Sequence, residues 1–344
     1  MSQIKQRKKD HVQLTLTGEV NYEKGTGFEN YQFVHNALPE VNFEDVSTDV
    51  TFLGRVFSFP LFISSMTGGY TEAGKVNTII AEFCEDHNLP FGVGSQRVML
   101  EDADTEQTFS IVREKAPNAF IASNIGGAQL IGGLSKHKMN RMIDSIKADA
   151  VIVHLNPLQE LMQPEGDRNF KGIESGIAQL VKESPVPVIV KETGAGISGE
   201  VSARLLELGV SVIDIAGAGG TSWAKIENTR TSNHNPQTIF DNWGLTTLDC
   251  LSETADLKDK YDFEVIASGG IKSSFDIVKS LCLGADFTAS ASPVIKALAD
   301  DGYEGLKKLF DTWEYQVKII LSLLGCTNIG ELHPKHIQFT GTAK

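Results

Sequence analysis

Short apolar runs rich in β-branched residues alternate along this chain with segments of helical periodicity. Eight such runs can be counted, separated by the distances that repeated strand and helix units require. Eight units in one chain favour a closed barrel over an open sheet, so the predicted class is α/β with a single (β/α)8 TIM barrel. The predicted strands are 60–66, 90–95, 119–124, 150–155, 186–192, 210–217, 263–270 and 285–291, and the predicted helices include 72–87, 105–115, 136–146, 172–183, 199–208 and 274–283.

The segments outside these units divide the chain into three predicted parts. Residues 1–58 form an N-terminal arm and cap, with a basic run at the start and a strand pair near 49–57. Residues 59–325 form the barrel, which helices over 291–324 close, and residues 326–344 are a tail without a strong pattern. The connections 156–171 and 217–244 are long for a compact domain, which is typical of lids and binding segments.

Composition narrows the class of protein further. A chain of 344 residues with 41% hydrophobic content can bury a large core. No long apolar run and no signal-like N-terminus is present, so we expect a cytoplasmic protein without a membrane segment. The net charge of -13 argues against a nucleic-acid partner. The cysteines lack the spacing of a zinc site or a disulfide framework; they are Cys84, Cys250, Cys282 and Cys326.

Polar residues follow the apolar run 150–153 in the segment HLNPLQE (154–160). Parallel α/β folds place their chemistry at the carboxyl ends of strands. An imidazole, two amides and a carboxylate can orient a polar ligand and hold a hard cation through oxygen. A polar capped loop is the alternative, but similar polar or glycine-rich ends recur after nearly every other strand.

Small residues precede two helix starts, in SGGIK (268–272) and ASASP (289–293). Backbone amides there can bind a phosphate, although tight strand–helix packing would also require glycine. The glycine pair in SSMTGG (64–69) permits close approach of a flat ligand. Lys191 lies at a strand end, either as a Schiff-base amine or as a cation beside an anionic ring. With Asn124 and Thr221, these features suit a flavin mononucleotide (FMN) across the barrel top.

The segment GSQR (94–97) closes the second strand with a hydroxyl, an amide and a guanidinium. Together with Arg7 and Lys8, Arg97 could balance a diphosphate of roughly three negative charges, each charge-assisted bond contributing about 1.5 to 3 kcal/mol. Glu160 would then recruit Mg²⁺ to the same diphosphate. The alternatives are a surface arginine and a solvated basic arm.

An ordered set of motifs resembles one family over nearly the whole length. The chain is similar to the type 2 isopentenyl-diphosphate isomerases, which are FMN-dependent (β/α)8 barrels. The motifs are RKKDH (7–11), MTGG (66–69), GSQR (94–97), Asn124, HLNPLQE (154–160), KETG (191–194), GGTSW (219–223) and SGGI (268–271).

The resemblance implies a full set of site residues. Two departures concern the flavin phosphate: Lys272 stands where the family often has arginine, and Ser292 where it usually has glycine. FMN contacts are implied for Ser65, Met66, Thr67, Ser95, Asn124, Lys191, Thr221, Gly270, Ile271, Lys272, Ala291 and Ser292. Substrate contacts are implied for Arg7, Lys8, Ser95, Gln96, Arg97 and Gln159, with Glu160 on Mg²⁺.

The implied reaction is a 1,3-proton shift between isopentenyl and dimethylallyl diphosphate, without net oxidation. Reduced FMN serves as acid and base, and NADPH is needed only to reduce it. The catalytic candidates are Gln159, Lys191 and His154, while Asn156 and His11 are candidate orienting groups. The family also implies a homotetramer or homo-octamer.

Three other readings compete with this one. An FMN-dependent hydroxy-acid oxidase or dehydrogenase requires a His-Gly-Gly-Arg pattern after strand six, where this chain has AGGT (218–221). An aldolase would use Lys191 as a Schiff base and be colourless. A non-catalytic flavin-binding or assembly protein would leave the cations and amides at one barrel end unexplained.

Overall fold

The computed structural model describes residues 3–17, 19–231 and 237–341, with the side chains of residues 3–9 left out. The strands are β1 Tyr31–Phe33, β2 Val50–Phe52, β3 Arg55–Phe57, β4 Leu61–Ile63, β5 Phe91–Gly92, β6 Ile121–Gly126, β7 Ala150–Leu155, β8 Val188–Glu192, β9 Val212–Asp214, β10 Glu264–Ala267, β11 Phe287–Ser290 and β12 Ile337–Phe339. The helices are α1 Gln3–Thr17, α2 Thr71–His87, α3 Arg97–Glu101, α4 Gln107–Lys115, α5 Lys136–Asp144, α6 Pro157–Met162, α7 Ile173–Glu183, α8 Gly199–Glu207, α9 Trp223–Arg230, α10 Thr247–Ala255, α11 Ser274–Cys282 and α12 Ser292–Leu324.

Strands β4 to β11 form a closed parallel barrel, which confirms the predicted fold class. The last strand closes on the first: Thr288 pairs with Leu61, and Ser290 pairs with Ile63. All eight predicted strands are present. Six of them are shorter than their apolar runs, β7 matches its run, and β6 has the predicted length but is shifted by two residues.

The barrel interior contains an apolar layer, and a hairpin covers it at the amino ends of the strands. Inward residues from successive strands pack together, among them Phe62, Ile152 and Ile266. The β2–β3 hairpin inserts Phe52 and Phe57 against them, and both rings are fully buried. The hairpin is the predicted strand pair. It closes the amino ends of the strands and leaves the carboxyl ends as the open end.

Most of the described helices cover the outside of the barrel and bury apolar side chains against it. The predicted helices are all present, and none of their ends is shifted by more than two residues, as fraying termini allow. The segment predicted as closing helices is α12, whose backbone departs from helical geometry at Asp301 and Gly302. Of the helices in the described ranges, none has both the length and the apolarity needed to cross a bilayer.

The two terminal extensions pair with each other, which the sequence did not predict. Strand β1 runs antiparallel to β12, with Tyr31 opposite Phe339 and Phe33 opposite Ile337. The tail 326–344 was expected to lack a pattern, and this was wrong for β12. Three residues are too few for a periodicity signal, and the partner strand lies about three hundred residues away in the chain. The basic run at the N-terminus is helical as part of α1, which contacts α9 and α12.

Candidate active site

A polar layer lies directly above the apolar layer of the barrel. Alternate residues of a strand face the same side, so the residue two positions after each inward apolar residue also points inward. His154, Lys191, Asp214 and Ser268 follow inward residues of β7, β8, β9 and β10 in this way. The strand register pairs His154 with Lys191 and Lys191 with Asp214. These four side chains therefore share one level of the barrel.

Lys191 is the predicted inward lysine, and its partners are now visible. Its Nζ lies 3.0 Å from Asp214 Oδ2 and donates a hydrogen bond to Ser268 Oγ at 3.1 Å. The Ser268 hydroxyl in turn donates to Asp214 Oδ1. The Asp214 side chain is only 4% exposed, so the lysine has the anionic neighbour that a buried ammonium requires. The sequence analysis did not single out Asp214.

Asn124 and His154 form a second polar pair on the other side of this level. His154 Nδ1 lies 2.8 Å from Asn124 Oδ1. An amide oxygen only accepts, so Nδ1 carries the proton in this pairing. Neither residue is among the described residues that line the cavity of about 590 Å³ at the carboxyl ends of the strands.

A cavity of about 590 Å³ opens at the carboxyl ends of the strands. This volume is in the range of small-molecule and cofactor sites. Residues from α1, from the loop after it, from the strand ends and from the first turns of α9 and α12 line it, including His11, Tyr22 and Trp223. Nine of the twelve residues predicted to contact FMN line this cavity: Ser65, Met66, Lys191, Thr221, Gly270, Ile271, Lys272, Ala291 and Ser292. Thr67, Ser95 and Asn124 do not.

One end of the cavity has the donors that a phosphate needs. In the described parts of the chain, no protein acceptor is found for the backbone N–H groups of Gly270, Ile271, Ala291 and Ser292. Ala291 is the N-cap of α12 and Ser292 its first residue, and no side chain caps this N-terminus. Open amides at the start of a helix are a favourable anion site. The predicted phosphate-binding segments therefore converge on one place.

Position 270 requires glycine for two reasons: the backbone has a left-handed conformation, and neighbouring atoms leave no room for a Cβ. Its φ is +78°, and an added Cβ would lie 2.5 Å from Thr26 Cγ2 and 2.7 Å from the backbone of Gly219. Only glycine adopts this conformation readily and permits this approach. The loop after β10 is consequently pressed against the loop after β9, which brings Thr221 to the same wall.

The hydroxyl of Ser65 lies beside Gly92, where an added Cβ would be 2.4 Å from its oxygen. The Ser65 Oγ atom is buried and has no hydrogen-bond partner in the described protein, and Ser65 lines the cavity. Buried polar groups are almost always paired, so an unpaired hydroxyl in a residue of the cavity wall is a candidate ligand contact. The open amides, Lys191 and this hydroxyl form a donor set that fits the phosphate and the ring of FMN.

The segment GSQR (94–97) is not part of the cavity wall, which does not support the substrate contact predicted for Gln96. That side chain is fully buried: Nε2 donates to the carbonyl oxygen of Met142 at 3.0 Å, and Oε1 accepts from the N–H of Asn124 at 3.2 Å. Gln96 precedes α3 and points outward, so it supports the barrel wall.

The other predicted substrate residues lie at the rim or outside what is described. Arg97 is half-exposed and forms ion pairs with Glu101 at 3.0 Å and Asp167 at 3.1 Å. Ser95 is partly exposed and does not line the cavity. The side chains of Arg7 and Lys8 lie outside the described residues.

Gln159 and Glu160 lie on α6, within the long connection predicted to be a binding segment. One amide group bridges them: Asn156 Nδ2 donates to Gln159 Oε1 at 3.1 Å and to Glu160 Oε1 at 3.0 Å. Glu160 Oε2 accepts the N–H of Asp167 at 2.7 Å. No group of three or more His, Cys, Asp or Glu side chains able to hold a metal is found among the described residues. Glu160 is thus an oriented carboxylate that belongs to no such group among the described residues.

A contact that the sequence did not predict joins the arm to the barrel. His11 Nε2 lies 2.8 Å from Glu227 Oε1, and the Glu227 side chain is 0% exposed. Arg230 donates to the other oxygen of Glu227. Burial raises the pKa of Glu227, but the hydrogen bonds and charges of His11 and Arg230 outweigh it, so the pKa lies below its usual value. The region was predicted only as a long connection, because α9 has no clear apolar face.

A second missed carboxyl is Glu192, at the end of β8. It is buried, and its Oε2 accepts the backbone N–H groups of Gly194, Ala195 and Gly196. Burial raises the pKa of Glu192 to about 7, against the lowering effect of these amides. Glu192 therefore holds the loop that carries Gly194, which lines the cavity.

The class of protein follows from comparison with known families and structures. The family described as FMN-dependent dehydrogenase matches residues 135–339. A flavocytochrome b2 variant covers 96% of this chain and 83% of its own with a TM-score of 0.68 at 18% identity. An (S)-mandelate dehydrogenase variant covers 96% and 99% with a TM-score of 0.67 at 16% identity. The structural likeness shows a shared fold, and the family match defines the class as FMN-dependent α/β barrels.

Sequence relatives narrow this class. An isopentenyl-diphosphate delta-isomerase of Chlorobium limicola is 43% identical over 345 residues, covering 96% of this chain and 95% of the relative. One from Chlorobium luteolum is 45% identical over 341 residues, and one from Rickettsia bellii is 40% identical over 329 residues. The chain belongs to the FMN-dependent, type 2 isopentenyl-diphosphate delta-isomerase family, as its motifs predicted.

Proposed function

We propose that this enzyme interconverts isopentenyl diphosphate and dimethylallyl diphosphate by a 1,3-allylic proton shift without net redox change. The names of the relatives support the activity. The observation that carries the proposal is the strand end AGGT (218–221) on the cavity wall, where Gly219, Gly220 and Thr221 line the space. Residues 218–221 carry no imidazole or guanidinium, the groups that oxidation of a hydroxy acid would require at this position.

FMN is the cofactor that fits the cavity. The amides of Gly270, Ile271, Ala291 and Ser292 would hold its phosphate, and Ser65 and Lys191 would contact its ring. When bound and reduced, FMN supplies the acid and base for the proton shift. The side chain of Lys272 lines the phosphate end and provides a cation where the family often has arginine.

The chain supplies orientation and charge around this cofactor. Lys191 presents a cation that favours an anionic reduced ring. Gln159, with its amide oxygen fixed by Asn156, would orient the isoprenoid unit. The ring of His154 would be held in place by its hydrogen bond to Asn124. An aldolase mechanism is disfavoured, because Schiff-base formation needs a free neutral amine and Lys191 is ion-paired to Asp214.

The diphosphate would lie toward the rim of the barrel. Arg7, Lys8 and Arg97 would neutralise it, with Ser95 as an additional donor. Glu160 would hold Mg²⁺ together with diphosphate oxygens, since Mg²⁺ is usually held by one or two carboxylates plus phosphates and keeps several waters. The absence of a larger carboxylate cluster in the described residues agrees with such a substrate-dependent site.

Three further features complete the proposal. NADPH reduces the flavin and is not consumed in each turnover. The enzyme acts in the cytoplasm as a homotetramer or homo-octamer. The exposed side chains Tyr315, Ile319 and Leu323, four residues apart on α12, provide an apolar stripe that supports self-association. Light scattering at several protein concentrations measures this assembly.

The decisive experiment follows product formation under anaerobic conditions. The purified protein is incubated with FMN, NADPH, Mg²⁺ and isopentenyl diphosphate, and dimethylallyl diphosphate is followed by NMR. Conversion that requires the reductant but consumes far less than one NADPH per product supports the proposal. A protein that binds and reduces FMN but forms no product contradicts it, and lactate or mandelate would then be tested as redox substrates.

A further inference from the structure

The side chain of Lys191 has a fixed environment below the cavity, formed by strands β9 and β10. Three N–H donors are available on its ammonium group. One faces Asp214 Oδ2 at 3.0 Å and one donates to Ser268 Oγ at 3.1 Å. Lys191 also lines the cavity, so one donor remains for a ligand there.

The three groups form a closed ring of interactions. The Ser268 hydroxyl accepts from Lys191 and donates to Asp214 Oδ1, so both oxygens of the carboxylate and the hydroxyl are engaged. Asp214 is 3% exposed and does not line the cavity. It therefore acts on a ligand through Lys191 alone.

The strand register makes this arrangement specific. Asp214 pairs with Lys191 on one side and with Ile266 on the other, and Ser268 lies two residues beyond Ile266 on the same face. The ring of interactions thus lies on three adjacent strands, which are the most rigid part of a barrel. Without it, a lysine with four rotatable bonds could occupy several positions in the cavity.

We propose that Asp214 is a positioning residue that holds the Lys191 ammonium at a single point beneath the flavin ring. The inference rests on the proposed function, because it assumes that FMN occupies the cavity. Its consequence is a fixed positive charge at the ring in the reduced state. Such a charge favours the anionic reduced ring and lowers the pH at which bound reduced FMN takes up a proton.

The test compares wild-type protein with Asp214→Asn, Ser268→Ala and Asp286→Asn. Asp286→Asn is the matched control, because it removes an aspartate–lysine pair, at 2.7 Å from Lys258, at the opposite end of the barrel. Each protein is loaded with FMN and reduced anaerobically with dithionite. Absorption spectra then give the pH midpoint between anionic and neutral bound reduced FMN, with free reduced FMN as reference.

We expect Asp214→Asn to raise this midpoint by at least about one pH unit, a tenfold change in the acid constant, and Ser268→Ala to raise it by less. Asp286→Asn should leave it unchanged. An unchanged or lower midpoint in Asp214→Asn overturns the inference, because the carboxylate would then only offset the lysine charge. If Asp214→Asn does not fold or does not retain FMN, Ser268→Ala decides by the direction of its shift. A wild-type protein that binds no FMN overturns the proposed function and this inference together.

Discussion

His11 of the N-terminal helix lies 2.8 Å from Glu227, whose side chain is fully buried in the wall of the barrel. The contact spans 216 positions of sequence. It fixes α1 beside the cavity, and the ring of His11 also meets that of Trp223 edge to face at 5.0 Å. The arm that carries the predicted diphosphate cations is thus attached to the barrel next to the proposed flavin.

Replacing His11 with alanine should loosen the arm. The change removes one partner from a buried carboxylate, which costs about 1 to 3 kcal/mol. Urea unfolding should show this loss, and limited proteolysis should cut α1 faster. His137→Ala, an exposed change on α5, is the control and should match wild type in both assays. Normal resistance of α1 in His11→Ala would show that other contacts hold the arm.

Replacing Gly270 with alanine should abolish FMN binding. The added Cβ would lie 2.5 Å from Thr26 Cγ2 at a φ of +78°, so the loop after β10 must move. Gly54→Ala is the matched control, since Gly54 has a φ of +70° but no atom within 4 Å of an added Cβ. The control should lose only the cost of the left-handed conformation, about 1 to 2 kcal/mol. Fluorescence titration with FMN and thermal melts separate the two effects. Equal FMN affinities in the two variants would exclude the proposed crowding.

Ser65→Ala should weaken FMN binding without destabilising the empty protein. Its buried hydroxyl has no protein partner, so nothing is lost until a ligand accepts from it or donates to it. One hydrogen bond is worth about 0.5 to 1.5 kcal/mol, roughly a two- to twelvefold rise in the dissociation constant. Ser123 has the same unpaired hydroxyl but does not line the cavity. Ser123→Ala should therefore keep the wild-type affinity, and a parallel loss in both variants would mean that Ser65 makes no specific contact.

Glu192 should make stability fall as the pH rises toward neutrality. Its pKa is raised from an ordinary 4.5 to about 7, so between these values the folded state holds a proton that the unfolded state has released. The stability contributed by this proton is present below about pH 4.5 and is lost as the pH passes through 7. Glu192→Gln cannot titrate, so its free energy of unfolding should rise relative to wild type between about pH 5 and 8. Denaturant unfolding across this range measures the difference, and parallel curves for the two proteins would contradict the prediction.

Glu160→Gln should raise the Mg²⁺ concentration needed for half-maximal isomerisation at least about tenfold, because an amide is a weaker ligand for a hard cation. The variant should keep its fold, since the amide oxygen can still accept from Asn156 or Asp167. Glu183→Gln, on the exposed side of α7, is the control and should leave the Mg²⁺ dependence unchanged. An unaltered requirement in Glu160→Gln would place the metal elsewhere.

The barrel and much of its cavity wall could be predicted, because each depends on local sequence. Lys191 directly follows an apolar run, and Gly270 directly precedes a helix. The sequence around each residue therefore indicates that it lies at the carboxyl end of a strand. Asp214 also ends a strand, but its role as the partner of Lys191 depends on which residue of β8 lies opposite. That register is set only when the barrel closes. Gln96 is the reverse case: its motif predicted a substrate contact, whereas its side chain is directed to the backbone of Met142 and Asn124 in the barrel wall.

Contacts between distant segments left no signal in the sequence. Glu227 and His11 come together only through the packing of α1 on α9, and β12 acquires its partner only when the chain ends meet. Glu192 is buried because the three amides of its own loop surround it, and a lone glutamate after a strand does not predict this.

The aromatic plug formed by Phe52 and Phe57 limits how ligands enter and leave the barrel. With the lower end of the barrel sealed, the cavity has its mouth at the upper end, beside α1. Substrate and product must therefore enter and leave through the same opening. A product diphosphate that is leaving the cavity competes directly with a substrate diphosphate that is entering it.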